Sequence, residues 1–463
     1  MSAPLVSAPA GAVGLADAGR FLDAALARGL ERREIAIVRL PAPLAPLTAL
    51  TAAARRGAAI TWRAPDEPPL VAIGACASIH LAGPDRFAAL EPARGALFAA
   101  TASTTHPAVG DRAPRLFGGW AFAPGGADRE PWESFGDGRF FLPRWTYERT
   151  PRGGVLTAAV DLRDGWAGRR GLAHAELATV LDALARPRPE PPPPRILSVR
   201  HPERDPYAAR VRAITAAIAE GELSKVVAAR RAFVAAEVDL DPWSVLRTLS
   251  ARYPETWRFG LRFGSGTLLA ATPERLFSKR GRRVEADALA GSIAASDDDG
   301  EARLAASAKD LREHRPVVEH LLARLAPVCE DLDVPSQPSV RRLPNVLHLH
   351  TRLAGTLAPG VDAASLVARL HPTPAVGGVP ADAANAWIAA HEPHPRGWYG
   401  GPVGWVDANG DAEITVALRA GVVRGAAAWL WAGGGIVEGS EPDAEWSESA
   451  LKLRPLLDAI GAE

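Results

Sequence analysis

An antiparallel α+β fold is predicted from three features of the sequence. Strand-like runs rich in Val, Leu, Phe and Trp are joined by short turn sequences, "GSG" at 264–266, "KRGRR" at 279–283 and "ANGD" at 408–411. Such tight connections pair neighbouring strands antiparallel. Helical patterns stand between groups of strands and do not alternate with single ones, which argues against βαβ units. The glycine loops of nucleotide-binding parallel folds are also missing. There is no G-x-x-x-x-G-K-[ST], and "GGWAFAPGG" and "AGGGIVEG" lack the strand–GxGxxG–helix spacing.

Taken in order, residues 1–185 read as an α+β part. Ala/Leu helices over 15–30 and 172–185 flank short β-prone runs, "RLFGGWAFAP" and "GRFFLPRWTYERTPRGGVLTAAVDL", broken by Gly and Pro. Little catalytic vocabulary is visible there. "ARPRPEPPPPRIL" carries six prolines and marks a stiff extended linker over 186–197. In the remainder, 198–463, "DPYAARVRAITAAIAEGEL" reads as a helix with Asp205 as N-cap and Gly221 near its end. "SKVVAARRAFV" reads as a strand, and residues 257–292 as three antiparallel strands. A long helix is expected over 305–328, more strands over 401–437 and a last helix from about 441.

Bulk properties exclude several classes of function. Lys and Arg together number 53, as do Asp and Glu, so the positive field needed to bind nucleic acid or an anionic membrane is absent. Cys76 and Cys329 are the only cysteines, too few for a disulfide framework or a thiolate metal cluster. The first twenty residues lack a basic region ahead of an apolar block, and no run of about 18 apolar residues occurs. A soluble cytoplasmic protein is expected.

The candidate chemistry lies in carboxylates and one lysine. In "EPDAEWSESALK", Glu441, Glu445, Glu448 and Lys452 follow at intervals of 4, 3 and 4 residues, which places them on one helix face. Trp446, Ala450, Leu453, Leu457 and Ile460 recur on another face. Read alone, the acidic face is either a solvated surface tied by a Glu448–Lys452 pair or part of a seat for a hard cation. Glu313, on the helix over 305–328, reads alone as a surface residue; joined to Glu445 and Glu448 it would complete a three-carboxylate set that suits Mg2+ better than Zn2+. Lys225 opens a strand of small and apolar residues, where a lysine either sits at an edge and snorkels to solvent or, if buried, becomes usable as a general base. Glu274 follows a proline within a strand region and is aimed by an irregular segment, where a carboxylic acid can protonate a leaving hydroxyl. These residues describe a Mg2+-dependent enzyme acting on a small carboxylate.

Nine segments, in order, resemble those of the chorismate-utilising enzymes: "SKVVAARR", "TPERL", "ALAGS", "LAASAKDLREH", "LPNVLHLHTRLAG", "LHPTPAVGGVP", "RGWYGGPVGW", "ITVALRAG" and "AGGGIVEGSEPDAEWSESALK". The resemblance runs through roughly 200–460, and "FGGWAFAP" and "FLPRW" extend it less specifically. It implies antiparallel sheets packed face to face with helices outside, the N-terminal part completing the sheets. It implies Lys225 as the base that activates water for attack at C2 of chorismate, and Glu274 as the acid for the departing C4 hydroxyl. Glu313, Glu445 and Glu448 are implied as the holders of Mg2+. Gly291 and Ser292 are implied around the ring carboxylate. Tyr399, Arg419, Gly433 and Gly435 are implied around the enolpyruvyl carboxylate, with His348 and Lys452 lining the site.

Within the family, anthranilate synthases carry Gln at the position of Lys225. Aminodeoxychorismate synthases carry "PIKGT"-like and "GAPK"-like segments where this sequence has "ALAGS" and "GGVPA". Both departures imply water as the nucleophile and no glutaminase partner. "HPTPAVGG" resembles isochorismate synthases, and members of that type are often monomers. The expected activity is therefore Mg2+-dependent conversion of chorismate to isochorismate. The alternatives are a salicylate synthase, which goes on to eliminate pyruvate, and a catalytically silent chorismate-binding homologue. Whether the product feeds menaquinone, siderophore or salicylate synthesis is not written in these residues.

Overall fold

The structure, a computed structural model, describes residues 15–32, 34–53, 57–163, 169–186, 192–201 and 204–462. Most of the segment read for a leader, and residues 187–191 of the proline-rich run, lie outside these. The short turns do close antiparallel hairpins. Phe263 pairs with Gly266 and Arg280 with Arg283. Gly264 and Gly281 each take φ of 56° at these corners, a left-handed conformation that glycine adopts without a Cβ penalty.

One expected strand is two. Pro273–Glu274 splits it into Gly266–Thr272 and Arg275–Arg280, because proline offers no N–H to a ladder. The halves then join different neighbours. The first lies between Trp257–Phe263 and Ala420–Arg424, the second between Arg283–Ala294 and Ala412–Val416. Glu274 therefore stands where the chain crosses from one part of the sheet to another.

Two antiparallel arms spread from the long pair Leu70–Leu81 and Gly138–Thr150. One continues through Ala59–Arg63, Trp257–Phe263, Gly266–Thr272, Ala420–Arg424, Ala427–Ile436 and Lys225–Ala236. The other continues through Arg115–Trp120, Pro402–Asp407, Ala412–Val416, Arg275–Arg280, Arg283–Ala294 and Val346–Leu357. Near the N-terminus, Ile35–Ala42 runs parallel to Thr101–Thr105. Between the arms lies an aromatic layer that includes Trp62, Phe117, Phe141, Phe263, Trp398 and Trp431. Phe263 meets Phe141 and Trp398 edge-on, with ring centroids 5.9 and 6.0 Å away. Each such ring buries roughly 150–250 Å2, several kcal/mol at about 25 cal/mol per Å2.

Helices cover the outside. Pro242–Arg252 and Pro442–Ile460 lay Leu246, Leu249, Leu453 and Leu456 against Val234, Leu269 and Leu430. The helix expected over 305–328 is two helices, Gly300–Ala306 and Ala308–Leu325. Ser307 divides them: its Oγ accepts from Asp310 N at 3.2 Å, so it caps the second helix and ends the first. The proline-rich connection is also shorter than expected, since Ile196 and Leu197 already belong to a strand, Ile196–Arg200, paired with Lys225–Ala236. Among the described residues no helix is long and apolar enough to cross a membrane.

Candidate active site

A cleft gathers ten of the thirteen predicted site residues: Glu274, Gly291, Ser292, Glu313, His348, Tyr399, Arg419, Gly433, Gly435 and Lys452. Lys225, Glu445 and Glu448 stand just outside this lining. Lys225 reaches Glu313, Glu448 holds Lys452, and Glu445 lies beside Gly434.

The acid and base candidates are both buried. Lys225 opens its strand opposite Val379 and donates from Nζ to the Glu313 carbonyl at 3.1 Å, with Glu313 Oε1 at 3.5 Å. Burial lowers the Lys225 pKa; Glu313 opposes the shift and Lys452 adds to it. Glu274 is fixed by its backbone, donating from N to Thr272 Oγ1 at 3.2 Å and accepting from Val416 N at 3.1 Å. Its Oε1 is buried without a hydrogen-bond partner among the described residues. Burial raises its pKa to about 8 against the pull of Lys225 and Arg419, so the carboxyl is protonated at neutral pH.

A polar chain forms the opposite side. Arg419 Nη2 lies 2.8 Å from His348 Nε2. A guanidinium only donates, so Nε2 accepts and the imidazole carries its proton on Nδ1. Nδ1 faces Ser292 Oγ at 2.9 Å and the Gly291 carbonyl at 3.3 Å. Burial, then the charges of Arg419 and Lys452, holds the His348 pKa well below its usual value, so the ring is neutral. Gly291 sits at a bulge between Ala290 and Ser292 with φ of 77°. Arg419 has φ of 46°, the only positive value at a non-glycine among the described residues. Such backbone strain persists where the surroundings over-determine it, as at a ligand clamp. Tyr399 stacks on Trp431, and burial raises its pKa to about 12, which keeps the phenol protonated.

The glycines of "AGGG" leave room for these side chains. A Cβ on Gly433 would meet Tyr399 Oη at 3.1 Å, and one on Gly434 would meet Glu445 Oε2 at 3.0 Å. On Gly435 it would meet Glu313 Oε1 at 2.3 Å.

Each predicted metal-holding carboxylate carries a lysine. Lys225 is on Glu313 at 3.5 Å, Lys309 on Glu445 at 3.0 Å and Lys452 on Glu448 at 2.6 Å. Lys452 Nζ also donates to the Gly433 carbonyl at 3.1 Å. Among the described residues no three carboxylate, histidine or cysteine groups converge closely enough to hold an ion as they stand. The donor set nevertheless fits a hard cation: every side-chain donor is a carboxylate oxygen, and Glu445 Oε2 is buried with no partner among the described residues. Burial, then Glu448, raises the Glu445 pKa. At Glu448 burial acts upward too, but Lys452 and then Lys309 bring the pKa below the usual value. At Lys309 burial is outweighed by Glu445, Glu448 and Glu313, which together raise the pKa.

The last helix departs from the expected two-faced pattern. Its buried residues include Glu445, Ser449, Leu453, Leu456 and Ile460, whereas Ala450 is exposed. The acidic and apolar stripes are thus one buried face in series, polar toward the site and apolar toward the core. Glu441 occupies the N-cap position but makes no side-chain cap bond.

Two charged residues escaped the sequence reading. Arg396 lines the cleft and ties its walls together, donating to the Val376 carbonyl at 2.5 Å, the Val227 carbonyl at 2.8 Å and Glu392 at 2.6 Å. Lys309 lies one turn before Glu313. A signal for it was available: the chain has only four lysines among its 53 basic residues, and three of the four are the partners of the three glutamates.

The model of the family described as "Chorismate binding enzyme" matches residues 21–461. The salicylate biosynthesis isochorismate synthase of Pseudomonas aeruginosa is 35% identical over 415 residues, covering 88% of this chain and 86% of that protein. Isochorismate synthase MenF of Bacillus subtilis is 32% identical over 367 residues, 77% of this chain and 76% of that protein. The solved structure of MenF, the menaquinone-specific isochorismate synthase from Escherichia coli, matches with a TM-score of 0.76 at 26% identity, covering 95% of this chain and 99% of that one. A family match that spans nearly the whole sequence, joined by relatives above 30% identity over most of it, means that the chain belongs to the chorismate-binding enzymes.

Proposed function

We propose that this protein is a Mg2+-dependent isochorismate synthase, converting chorismate to isochorismate by adding water at C2 and releasing the C4 hydroxyl. The observation that carries this reading is the pair of buried groups with opposite proton demands. Glu274, with a pKa of about 8 and an Oε1 without a hydrogen-bond partner among the described residues, enters the reaction as an acid. Lys225, whose pKa is lowered by burial, enters as a base. The names of the relatives above support the same choice.

Lys225 takes a proton from water as its oxygen bonds to C2, and Glu274 gives a proton to the C4 oxygen as that bond breaks. One water enters and one leaves, so the net change is an isomerisation. Arg419, held by His348, and the Tyr399 hydroxyl grip the enolpyruvyl carboxylate, for which a guanidinium fork is well shaped. Glu313, Glu445 and Glu448 would hold Mg2+, which when bound supplies positive charge for the ring carboxylate. Ser292 and the Gly291 backbone flank that carboxylate. Water as nucleophile requires no glutaminase partner.

Incubation of the protein with chorismate and Mg2+ alone tests the reading. Isochorismate is the expected product and EDTA is expected to stop its formation. Salicylate and pyruvate accumulating without a separate lyase would overturn the assignment in favour of a salicylate synthase; no conversion at all would favour a silent homologue.

A further inference from the structure

We propose that Lys309 is a built-in counter-ion, holding Glu445 in the absence of a divalent cation and giving way to the cation when it binds. The inference rests on the reading that Glu313, Glu445 and Glu448 form the cation site.

Three observations lead to it. First, the Glu445 carboxylate is buried, and its Oε1 takes bonds from Lys309 Nζ at 3.0 Å and Ser440 Oγ at 2.8 Å. A buried carboxylate without a compensating charge is costly, so Lys309 neutralises a group that the cation would otherwise neutralise. Second, the two neighbouring lysines each have a second, backbone anchor and Lys309, among the described residues, does not. Lys225 and Lys452 each donate to a backbone carbonyl as well as facing a carboxylate. Lys309 contacts Glu445 by a single bond, and its side chain is 35% exposed, so it can leave for water without stranding a buried ammonium. Third, the residue type suits release. The chain uses arginine at nearly every basic position, with only four lysines in all. An arginine at 309 could grip Glu445 with two parallel bonds, whereas an ammonium is a strongly hydrated point charge that withdraws at lower cost.

Competition between an ammonium and a divalent cation for one carboxylate predicts opposite effects of two substitutions. With Mg2+ titrated calorimetrically into the full chain, Lys309→Met is expected to tighten the Kd about tenfold, since a repelling charge is gone. Lys309→Arg is expected to weaken it several-fold. In EDTA, the Tm of Lys309→Met is expected to fall below that of the wild type, and added Mg2+ to raise it by a larger increment. Identical Mg2+ affinity in all three proteins, or weaker affinity in Lys309→Met, would overturn the proposal while leaving the carboxylate site intact. A wild-type protein with neither binding heat nor a Mg2+-induced rise in Tm would instead remove the cation site itself, and this proposal with it.

Discussion

Arg419 donates from Nη2 to His348 Nε2 across 2.8 Å, with both side chains buried. The bond fixes the histidine as its neutral Nδ1–H tautomer and aims a permanent cation at the cleft. Arg419→Lys keeps the charge but cannot hold His348 and grip a planar carboxylate together. The KM for chorismate is expected to rise about 10- to 100-fold, the scale of one lost charge-assisted bond, with a smaller change in kcat. Steady-state kinetics decide it: an unchanged KM removes Arg419 from substrate binding.

Lys225→Ala is expected to abolish turnover while chorismate still binds, because the carboxylate-gripping groups are untouched. Binding is read by calorimetry and turnover by product chromatography. Loss of binding in place of loss of turnover would contradict the role of base.

How far the sequence revealed the site depends on the kind of information each residue carries. Lys225, Glu274, Glu313, Glu445 and Glu448 could be singled out as positions because a strand lysine, a carboxylate after a strand proline and carboxylates at helical spacing stand out, while the roles proposed for them rest on the resemblance of the nine segments. The turns at Gly264 and Gly281 were legible because left-handed corners require glycine. Where local pattern competes with tertiary demand, the reading failed. Ser307 looked like one more residue of a long helix, yet its capping bond ends one helix and starts another. The final helix was assigned separate acidic and apolar faces, because a 3.6-residue period cannot foresee that Glu445 is buried alongside Leu453. Arg396 opens the segment "RGWYGGPVGW" but was not singled out, since its partners are the Val376 and Val227 backbone carbonyls and the Glu392 carboxylate, brought together only by folding. Lys309 carried one sign, the scarcity of lysine, but its pairing with Glu445 on a different helix exists only in the fold.

Gly435 tests how tightly the lysine–glutamate pairs are packed. A Cβ there would lie 2.3 Å from Glu313 Oε1 and 2.8 Å from Lys225 Cε, closer than packed atoms tolerate. Gly435→Ala must displace one of the two, and a shift of about 1 Å in a reacting group costs roughly 100-fold in rate. Gly439→Ala is the control: Gly439 has φ of 79° but open space around its Cβ position, so it is expected to lose stability and keep its turnover per folded molecule. Equal kcat in Gly435→Ala and wild type would show that Glu313 and Lys225 have room to move.

Glu274 couples activity and stability to pH through one group. Its pKa rises from 4.5 to about 8 on folding because it is buried. The reaction needs its proton, so kcat/KM is expected to fall as pH climbs through about 8. Glu274→Gln is expected to lower kcat by about 100- to 10,000-fold and to lose that falling limb in whatever rate remains. Stability also falls with rising pH, over a window that begins lower. Between pH 4.5 and about 8 the folded wild type binds the proton that the unfolded chain releases, so its stability declines as pH rises across this window. Glutamine has nothing to ionise, and the Tm of Glu274→Gln relative to wild type is expected to climb through that range and level off above it. Thermal melts at pH 5.5, 7 and 8.5 measure the difference directly. A constant difference at all three values would show that Glu274 is not the raised, proton-holding carboxyl of the site.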